Sequence, residues 1–378
     1  MKLLVLLRRS KDTHGSVRHP KLPVGRGDRW LLVATGSLAA IGILMVYDSS
    51  VAIALRDFAD PYHFVREQIK WLALGFVAFG SFSRIGYQTW RKFAVAGLLV
   101  TLGLLLAVFI PGFGVRALGA HRWLNFGFFI LQPAELAKLT TVIYLAAWFA
   151  TKERGRLIAF LLLVGMVVGL IVIEPDLGTA VTVLATAVCL YFLSGAPLLH
   201  FVALIPILAL AIGGLAIAQP YRLRRVLTFL NPEVDPLGSS YQIRQALLAL
   251  GSGGFFGVGL GRSRQKYEYL PEANTDSIFA ILGEETGFVG SMVVVGLLLF
   301  LVWRCFKIAK RVDEPFGKLL ALGIGSWIGV QSLINIGSMV ALLPLTGVPL
   351  PLISYGGSNL VITLGSLGII YNISKKST

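Results

Sequence analysis

Apolar runs of about 20 residues recur along this chain of 378 residues and are separated mostly by short basic patches. A run of that length crosses the roughly 30 Å hydrocarbon core of a bilayer as an α-helix, which satisfies every backbone polar group internally. Charged residues make up 14% of the sequence, whereas about a quarter is usual in soluble chains. These features exclude a soluble globular enzyme, a disordered tail and a secreted disulfide scaffold. They predict an all-α, polytopic membrane protein.

Ten stretches fit transmembrane helices by hydropathy. They are residues 30–54, 67–83, 92–110, 133–150, 157–173, 178–194, 199–218, 277–303, 319–343 and 352–373. The positive-inside rule places both termini in the cytoplasm, because 21 of the 34 basic residues then lie on that side. The predicted domains are a basic cytoplasmic arm (1–29), a ten-helix membrane domain (30–373) with a large extracytoplasmic loop (219–276) between helices 7 and 8, and a cytoplasmic tail (374–378).

The net charge of +15 would suggest a nucleic-acid partner for a soluble chain. Here most basic residues determine topology, so no nucleic-acid partner is predicted. Cys189 and Cys305 are far apart and fall within or near the end of apolar runs, which favours inert thiols over a disulfide or a metal site. The five histidines are scattered, so a histidine-based metal site is not predicted either.

The extracytoplasmic loop carries an unexpected share of positive charge for that side of the membrane. Its basic residues are Arg222, Arg224, Arg225, Arg244, Arg262, Arg264 and Lys266. They form either an ordinary solvated loop or a surface for a polyanion. The second interpretation is favoured because an amphipathic stretch (241–250) precedes a glycine-rich run (251–261), typical of a helix that dips into the interface. The glycine amides could form an anion-binding nest, or the glycines could simply provide flexibility.

Several ionisable residues lie within or beside the predicted spans, near the outer leaflet. They are Glu135, Lys138, Glu174, Asp176, Asp276, Glu284 and Glu285, with Arg116 and Arg122 nearby. Such residues are costly in a membrane and are functional candidates by default. Their convergence at one depth, beneath a basic loop, indicates a site for an anionic lipid headgroup.

Each candidate also has a purely structural interpretation. Glu135 and Lys138, three residues apart, could be an ion pair on one helical face, and Asp176 or Asp276 could cap the helix that follows. The two adjacent glutamates could be satisfied by neighbouring helices or could form a proton path. In a functional site, arginines would bind phosphate and a carboxylate would take a proton from a sugar hydroxyl. Lys138, an arginine or a divalent ion would neutralise a departing pyrophosphate.

Motifs distributed along the chain resemble those of the FtsW/RodA family, also called SEDS proteins. They are Leu270–Asp276, Gly283–Gly287, Pro349–Ser358, Gly119–Leu124, Gln132–Lys138, Glu174–Thr179, Tyr221–Arg225 and Asn231–Pro232. The resemblance covers about residues 30–373. It implies a glycosyltransferase of the bacterial cytoplasmic (inner) membrane, with its active site facing the extracytoplasmic side. It also implies that lipid II is polymerised into glycan strands together with a class B penicillin-binding protein and other divisome membrane proteins.

The resemblance assigns roles residue by residue. Asp276 falls on the family's essential aspartate and is the expected general base on the acceptor 4-hydroxyl, with undecaprenyl pyrophosphate leaving. The expected cavity residues are Glu135, Lys138, Asp176 and Arg122. The expected substrate-binding residues are Arg222, Arg225, Gln245, Lys266 and Ser358. Mg²⁺ or Mn²⁺ could assist, whereas no nucleotide is expected because the glycosyl–pyrophosphate bond supplies the energy.

The chain departs from the family pattern at two motifs. Asn274 and Ser277 flank the Thr-Asp pair where the family usually has His and Phe, and Ala134 replaces a Ser. The base itself is intact, so an active enzyme is expected. The runs 221–225 and 259–266 favour the division member, FtsW, over the elongation member, RodA. A lipid II flippase and a non-catalytic scaffold are the competing hypotheses.

Overall fold

The computed structural model describes residues 27–117, 120–127, 129–151, 157–217, 229 and 239–376. Its helices are α1 (Arg29–Phe58), α2 (His63–Phe82), α3 (Tyr87–Lys92), α4 (Ala94–Ala107), α5 (Pro133–Phe149), α6 (Leu157–Ile173), α7 (Leu177–Leu193), α8 (Leu198–Ile217), α9 (Ser239–Gly253), α10 (Ile278–Lys310), α11 (Pro315–Met339) and α12 (Gly357–Ser374). Its strands are β1 (Gly114–Ala117), β2 (Ala120–Asn125) and β3 (Ile130–Leu131). The described chain is therefore predominantly helical, as the apolar runs predict.

Each of the ten predicted spans overlaps one of these helices, and α3 and α9 are additional. Local signals set several helix starts. Asp28 accepts a hydrogen bond from the Leu31 amide at 2.9 Å and caps α1, while prolines open α5 and α11, where an N–H would have no helical partner. Within the described residues, α1, α10 and α11 are long and apolar enough to cross a membrane by length and composition. The number of crossings and the cytoplasmic position of the termini stay predictions.

One part of the all-α prediction is wrong, because the segment between α4 and α5 forms an antiparallel sheet. Its order is β1–β2–β3, with Val115 opposite Trp123 and Leu124 opposite Leu131. The turn between β2 and β3 places Gly127 at a φ of 84°, in the left-handed region that glycine adopts without strain. β-Branched and aromatic residues suit this pleated ribbon, but the strands are too short for their periodicity to reveal them in the sequence.

Helix α11 lies at the centre of the described bundle and packs against α5, α7, α10 and α12. Trp327 on α11 is the largest fully buried side chain among the described residues. The outer helices approach one another closely where glycines allow it. On α12, for example, a Cβ at Gly368 would lie 2.5 Å from the carbonyl oxygen of Phe79 on α2. The central position of α11 brings its buried polar residues, Gln331 and Asn335, to the candidate site.

Helix α10 is interrupted at Gly287, whose φ of 69° and ψ of −164° are not helical. The glycine-rich segment after α9 satisfies the backbone groups on both sides of the break. Val258 N donates to the carbonyl of Glu284 at 3.0 Å, and Phe288 N donates to the carbonyl of Gly254 at 2.8 Å. A Cβ on Gly287 would overlap the Gly257 backbone, so this approach requires glycine. Irregular backbone beside a transmembrane helix is tolerated when protein groups satisfy it in this way.

Candidate active site

Asp276, the predicted general base, lies two residues before α10 begins and is half-buried. Its backbone carbonyl accepts a hydrogen bond from Asn335 Nδ2 at 2.8 Å. Its carboxylate faces Gly347, because a Cβ on that glycine would lie 3.2 Å from Asp276 Oδ2. The N-cap position of α10 is Ser277, so the interpretation of Asp276 as the N-cap of this helix is wrong. The aspartate therefore stands at the positive end of the helix dipole, where a carboxylate is stabilised.

Glu135 and Lys138 form a buried ion pair on α5, with Lys138 Nζ 2.7 Å from Glu135 Oε2. The lysine also donates to Gln331 Oε1 on α11 at 2.8 Å, and Asn359 Nδ2 on α12 donates to Glu135 Oε2 at 2.8 Å. The Lys138 ammonium lies 5.1 Å from the ring centroid of Trp327. These contacts confirm the ion-pair interpretation and tie three helices together around a neutralised pair.

Arg122 and Asp176 meet around the turn between α6 and α7. Arg122 Nε donates to the carbonyl of Glu174 at 3.3 Å, and its guanidinium also donates to the carbonyl of Pro175. Asp176 Oδ1 accepts from Thr179 N at 3.0 Å, which confirms that it caps α7. Its other oxygen, Oδ2, accepts from Thr179 Oγ1 at 2.9 Å and from the Gln132 side chain at 2.9 Å. The turn is thereby locked to β2 and to the start of α5.

Glu174, in the same turn, is a functional candidate to which the sequence analysis gave no role of its own. Its side chain is fully buried, and neither carboxylate oxygen has a hydrogen-bond partner among the described residues. Burial first, and the charge of Asp176 second, raise the pKa of Glu174 to about 9, although Arg122 acts in the opposite direction. Glu174 is therefore protonated at neutral pH. Its place in the Glu-Pro-Asp turn was the sequence signal that could have identified it.

Ser358 and Gln245 occupy different surroundings. Ser358 Oγ accepts from the Gln132 amide at 3.1 Å and donates to the Ile130 carbonyl at 3.3 Å, so it joins the first turn of α12 to β3. Gln245 is half-buried on α9. Two further residues predicted to bind substrate, Arg222 and Arg225, lie outside the described residues.

Lys266, also predicted to bind substrate, is only 4% exposed. Its Nζ lies 2.7 Å from Asp48 Oδ1 on α1 and 3.1 Å from Glu285 Oε1 on α10. The structure thus places this lysine in an internal ion-pair network between two helices. The sequence favoured a surface for a polyanion in this loop. Arg262 and Arg264 are exposed there, whereas Lys266 is buried and paired.

The last glycine of the run and the residues just after it form an anion-binding nest, whose anions are carboxylates of the same chain. Glu285 accepts from the amides of Gly261 at 3.1 Å and Ser263 at 3.0 Å. Glu284 accepts from the Arg264 amide at 3.1 Å, the Gln265 amide at 3.4 Å and the Ser263 hydroxyl. These hydrogen bonds favour the nest over plain flexibility. The two glutamates hold the segment against the break in α10.

The segment 346–350, between α11 and α12, borders the Glu135–Lys138 pair, the start of α7 and Asp276. Gln331 Nε2 donates to the Pro349 carbonyl at 2.8 Å, and the same glutamine accepts from Lys138. At the first turn of α7, a Cβ on Gly178 would lie 2.5 Å from the Thr346 carbonyl oxygen. Asp276 faces the same segment at Gly347. Segment 346–350 therefore forms one wall of the site. The predicted base, the ion pair on α5 and the start of α7 all border this wall.

An apolar cavity of about 180 Å³ opens between α2, α4, α5 and α12. Its lining includes Ala78, Phe82, Phe93, Leu136, Leu139 and Val361. Leu136 and Leu139 belong to the same helix as the Glu135–Lys138 pair. Among the described residues, no group of three His, Cys, Asp or Glu side chains is arranged to hold a metal ion.

The chain belongs to the FtsW/RodA/SpoVE family, whose model, described as "Cell cycle protein", matches residues 29–378. Stage V sporulation protein E of Bacillus subtilis (strain 168) is 39% identical over 356 residues, which cover 93% of this chain and 97% of that protein. The "Probable peptidoglycan glycosyltransferase FtsW" of Coxiella burnetii (strain RSA 493 / Nine Mile phase I) is 40% identical over 356 residues, which cover 92% and 96%.

Solved structures agree with this assignment. A chain of the structure described as "Structural coordination of polymerization and crosslinking by a peptidoglycan synthase complex" superposes with a TM-score of 0.77 at 28% identity, covering 93% of this chain and 98% of that one. The crystal structure of the rod shape determining protein RodA of Thermus thermophilus superposes with a TM-score of 0.69 at 28% identity, covering 92% and 96%. The family resemblance is confirmed, and the chain is a helical membrane protein of the SEDS type.

Proposed function

We propose that this chain is a peptidoglycan glycosyltransferase that polymerises lipid II, with Asp276 as the general base. The names of its FtsW relatives and the synthase complex that shares its fold support this activity. The observation that carries the assignment of the base is the setting of Asp276. It is a half-buried carboxylate at the start of α10, held through its backbone by a buried side chain of α11.

In the proposed reaction, Asp276 takes the proton from the 4-hydroxyl of the acceptor lipid II. The oxygen then attacks the anomeric carbon of the growing chain, the carbon–oxygen bond to undecaprenyl pyrophosphate breaks, and the configuration at that carbon inverts. Arg122 and the arginines of the extracytoplasmic loop are proposed to bind the pyrophosphate. Lys138 is proposed to act indirectly, because its ammonium is already paired with Glu135. It donates to Gln331, which in turn holds segment 346–350 through the Pro349 carbonyl.

Two further components of the proposal concern ligands. The apolar cavity between α2, α4, α5 and α12 is proposed to take part of an undecaprenyl tail, since its lining is almost wholly apolar. Mg²⁺ or Mn²⁺ is proposed to assist through pyrophosphate oxygens, and loss of polymerisation in EDTA with recovery on adding either ion tests this. No nucleotide is required, because the donor carries its own activated bond.

The proposed cellular role is in division, with a class B penicillin-binding protein as partner. FtsW and SpoVE relatives are 38–41% identical to this chain, whereas the RodA structures are 27–28% identical. The polymerising and crosslinking complex that shares the fold supports a transpeptidase partner. The site is proposed to face the extracytoplasmic side of the inner membrane, which follows from the charge distribution.

Polymerisation of lipid II by the purified full chain, with and without a class B penicillin-binding protein, tests the proposal. Asp276→Asn should abolish glycan formation, whereas Asp57→Asn, at an exposed carboxylate near the end of α1, should leave it unchanged. Full activity of Asp276→Asn would refute the base assignment. Movement of lipid II across vesicles without polymer formation by the unmodified chain would favour the flippase alternative.

A further inference from the structure

Three consecutive backbone carbonyls around Asp276 accept hydrogen bonds from parts of the chain that are distant in sequence. The pairs are Tyr355 N to Asn274 O at 2.9 Å, Ser354 Oγ to Thr275 O at 2.6 Å, and Asn335 Nδ2 to Asp276 O at 2.8 Å. One donor lies on α11, and the other two lie just before α12. The backbone that carries the base is therefore fixed from outside its own helix.

Two of these side chains bridge the Asp276 segment to segment 346–350. Asn335 Nδ2 also donates to the Val348 carbonyl at 2.7 Å. Ser354 Oγ also accepts from the Leu350 amide at 2.8 Å. Each side chain thus forms one rung between two stretches of backbone, and we call the two together the polar ladder.

The ladder is shielded from water, since Asn335 is 1% exposed and Ser354 is 5% exposed. A buried backbone carbonyl that loses its only side-chain donor retains its desolvation cost, so the two stretches would move to find other partners. The residue beside Val348 is Gly347, which faces the Asp276 carboxylate. Any shift at the ladder therefore changes the distance between the base and the wall opposite it.

We propose that Asn335 and Ser354 are positioning residues for glycosyl transfer, which fix the Asp276 carboxylate against segment 346–350 without touching substrate. The inference rests on the proposed function, because it assumes that Asp276 is the base. Displacing a reacting group by about 1 Å can lower a rate by about 100-fold. Loss of a rung should therefore lower kcat more than it weakens substrate binding.

The test compares Asn335→Leu with Asn372→Leu in the full chain together with its transpeptidase partner. Asn372 is a matched control on α12, because it is also buried, donates to the Ser83 carbonyl at 2.9 Å and accepts from the Tyr87 amide at 3.0 Å. Both of these partners lie at the junction of α2 and α3, away from the sequence around Asp276. Both variants should melt at lower temperature than the unmodified chain. Only Asn335→Leu should lower kcat for lipid II polymerisation, by about 10- to 100-fold, with KM changed less than about twofold.

Ser354→Ala provides a milder second variant that removes one rung. It should lower kcat in the same manner, and Ser354→Thr, which keeps the hydroxyl, should recover most of the loss. If Asn335→Leu does not fold, the pair of Ser354 variants decides the question by the same kcat criterion.

The positioning role is overturned if the Asn335 and Asn372 variants lose activity only in proportion to their loss of stability. It is equally overturned if Ser354→Ala and Ser354→Thr have the same kcat. Asp276→Asn is assayed in parallel so that the two proposals can fail separately. An active Asp276→Asn refutes the base, whereas an inactive Asp276→Asn with fully active ladder variants refutes only the positioning role.

Discussion

Replacing Lys266 by Met should destabilise the protein severely and should not act as the loss of a substrate contact. The lysine ammonium lies between Asp48 Oδ1 at 2.7 Å and Glu285 Oε1 at 3.1 Å, and all three side chains are largely buried. Lys266→Met removes the only cation of this network among the described residues and leaves two carboxylates facing each other. Breaking a buried ion pair from one side costs about 3–5 kcal/mol.

The expected loss for Lys266→Met lies in that range, because Glu285 keeps the amides of Gly261 and Ser263 but Asp48 keeps no comparable donor for its buried Oδ2. A loss of this size is a large share of the roughly 5–15 kcal/mol that stabilises a typical domain. The assay is unfolding of the purified chain in detergent or nanodiscs, followed by tryptophan fluorescence.

Lys70→Met is the matched control, because Lys70 pairs with Glu67 at 2.7 Å but is exposed. An exposed pair contributes about 0–1 kcal/mol, so this variant should be nearly neutral. The double variant Lys266→Met with Asp48→Asn should recover part of the stability by removing one unpaired charge. Unchanged stability of Lys266→Met together with a raised KM for lipid II would show that Lys266 binds substrate and does not stabilise the fold.

Two further predictions concern Glu174 and the break in α10. The pKa of Glu174 is raised from 4.5 to about 9, so the folded state holds a proton that the unfolded state releases; stability should fall as pH rises from about 4.5 to 9. Glu174→Gln should flatten that profile and melt higher than the unmodified chain near pH 9, and an unchanged slope would contradict the buried neutral acid. Gly287→Ala should destabilise the chain by about 1–3 kcal/mol because of its φ of 69° and the adjacent Gly257 backbone. Gly296→Ala on the same helix, where no described atom lies within 4 Å of the added Cβ, should be neutral or slightly stabilising, and equal losses in both variants would argue against the break.

Much of the helical framework could be predicted from the sequence, because hydropathy is a property of each run by itself. The start of α7 could also be predicted from the sequence, since Asp176 precedes the helix and caps it through Thr179, three residues away. The β1–β3 sheet was missed because its strands have only two to six residues. No sequence pattern of that length separates a short ribbon from a loop.

The site was harder to predict wherever partners come from distant parts of the chain. Asn335 and Ser354 lie 59 and 79 residues from the carbonyls they bind, so no local spacing reveals the ladder. Lys266 was assigned to a polyanion-binding surface because its first counter-ion, Asp48, is 218 residues away on α1 and no local pattern reveals their ion pair. Asp276 was assigned as the predicted base through the family motif around it, since an aspartate before a helix can also be a cap.

The role proposed for Asp276, as the base of a lipid II polymerase, is tested by following both products of the reaction. Purified chain in complex with a class B penicillin-binding protein is incubated with labelled lipid II, and glycan strands and undecaprenyl pyrophosphate are quantified together for the unmodified chain and for Asp276→Asn of equal thermal stability. Both products should form in step for the unmodified chain, and neither should form above background for the variant. Formation of both products by Asp276→Asn at the unmodified rate would contradict the role proposed for Asp276.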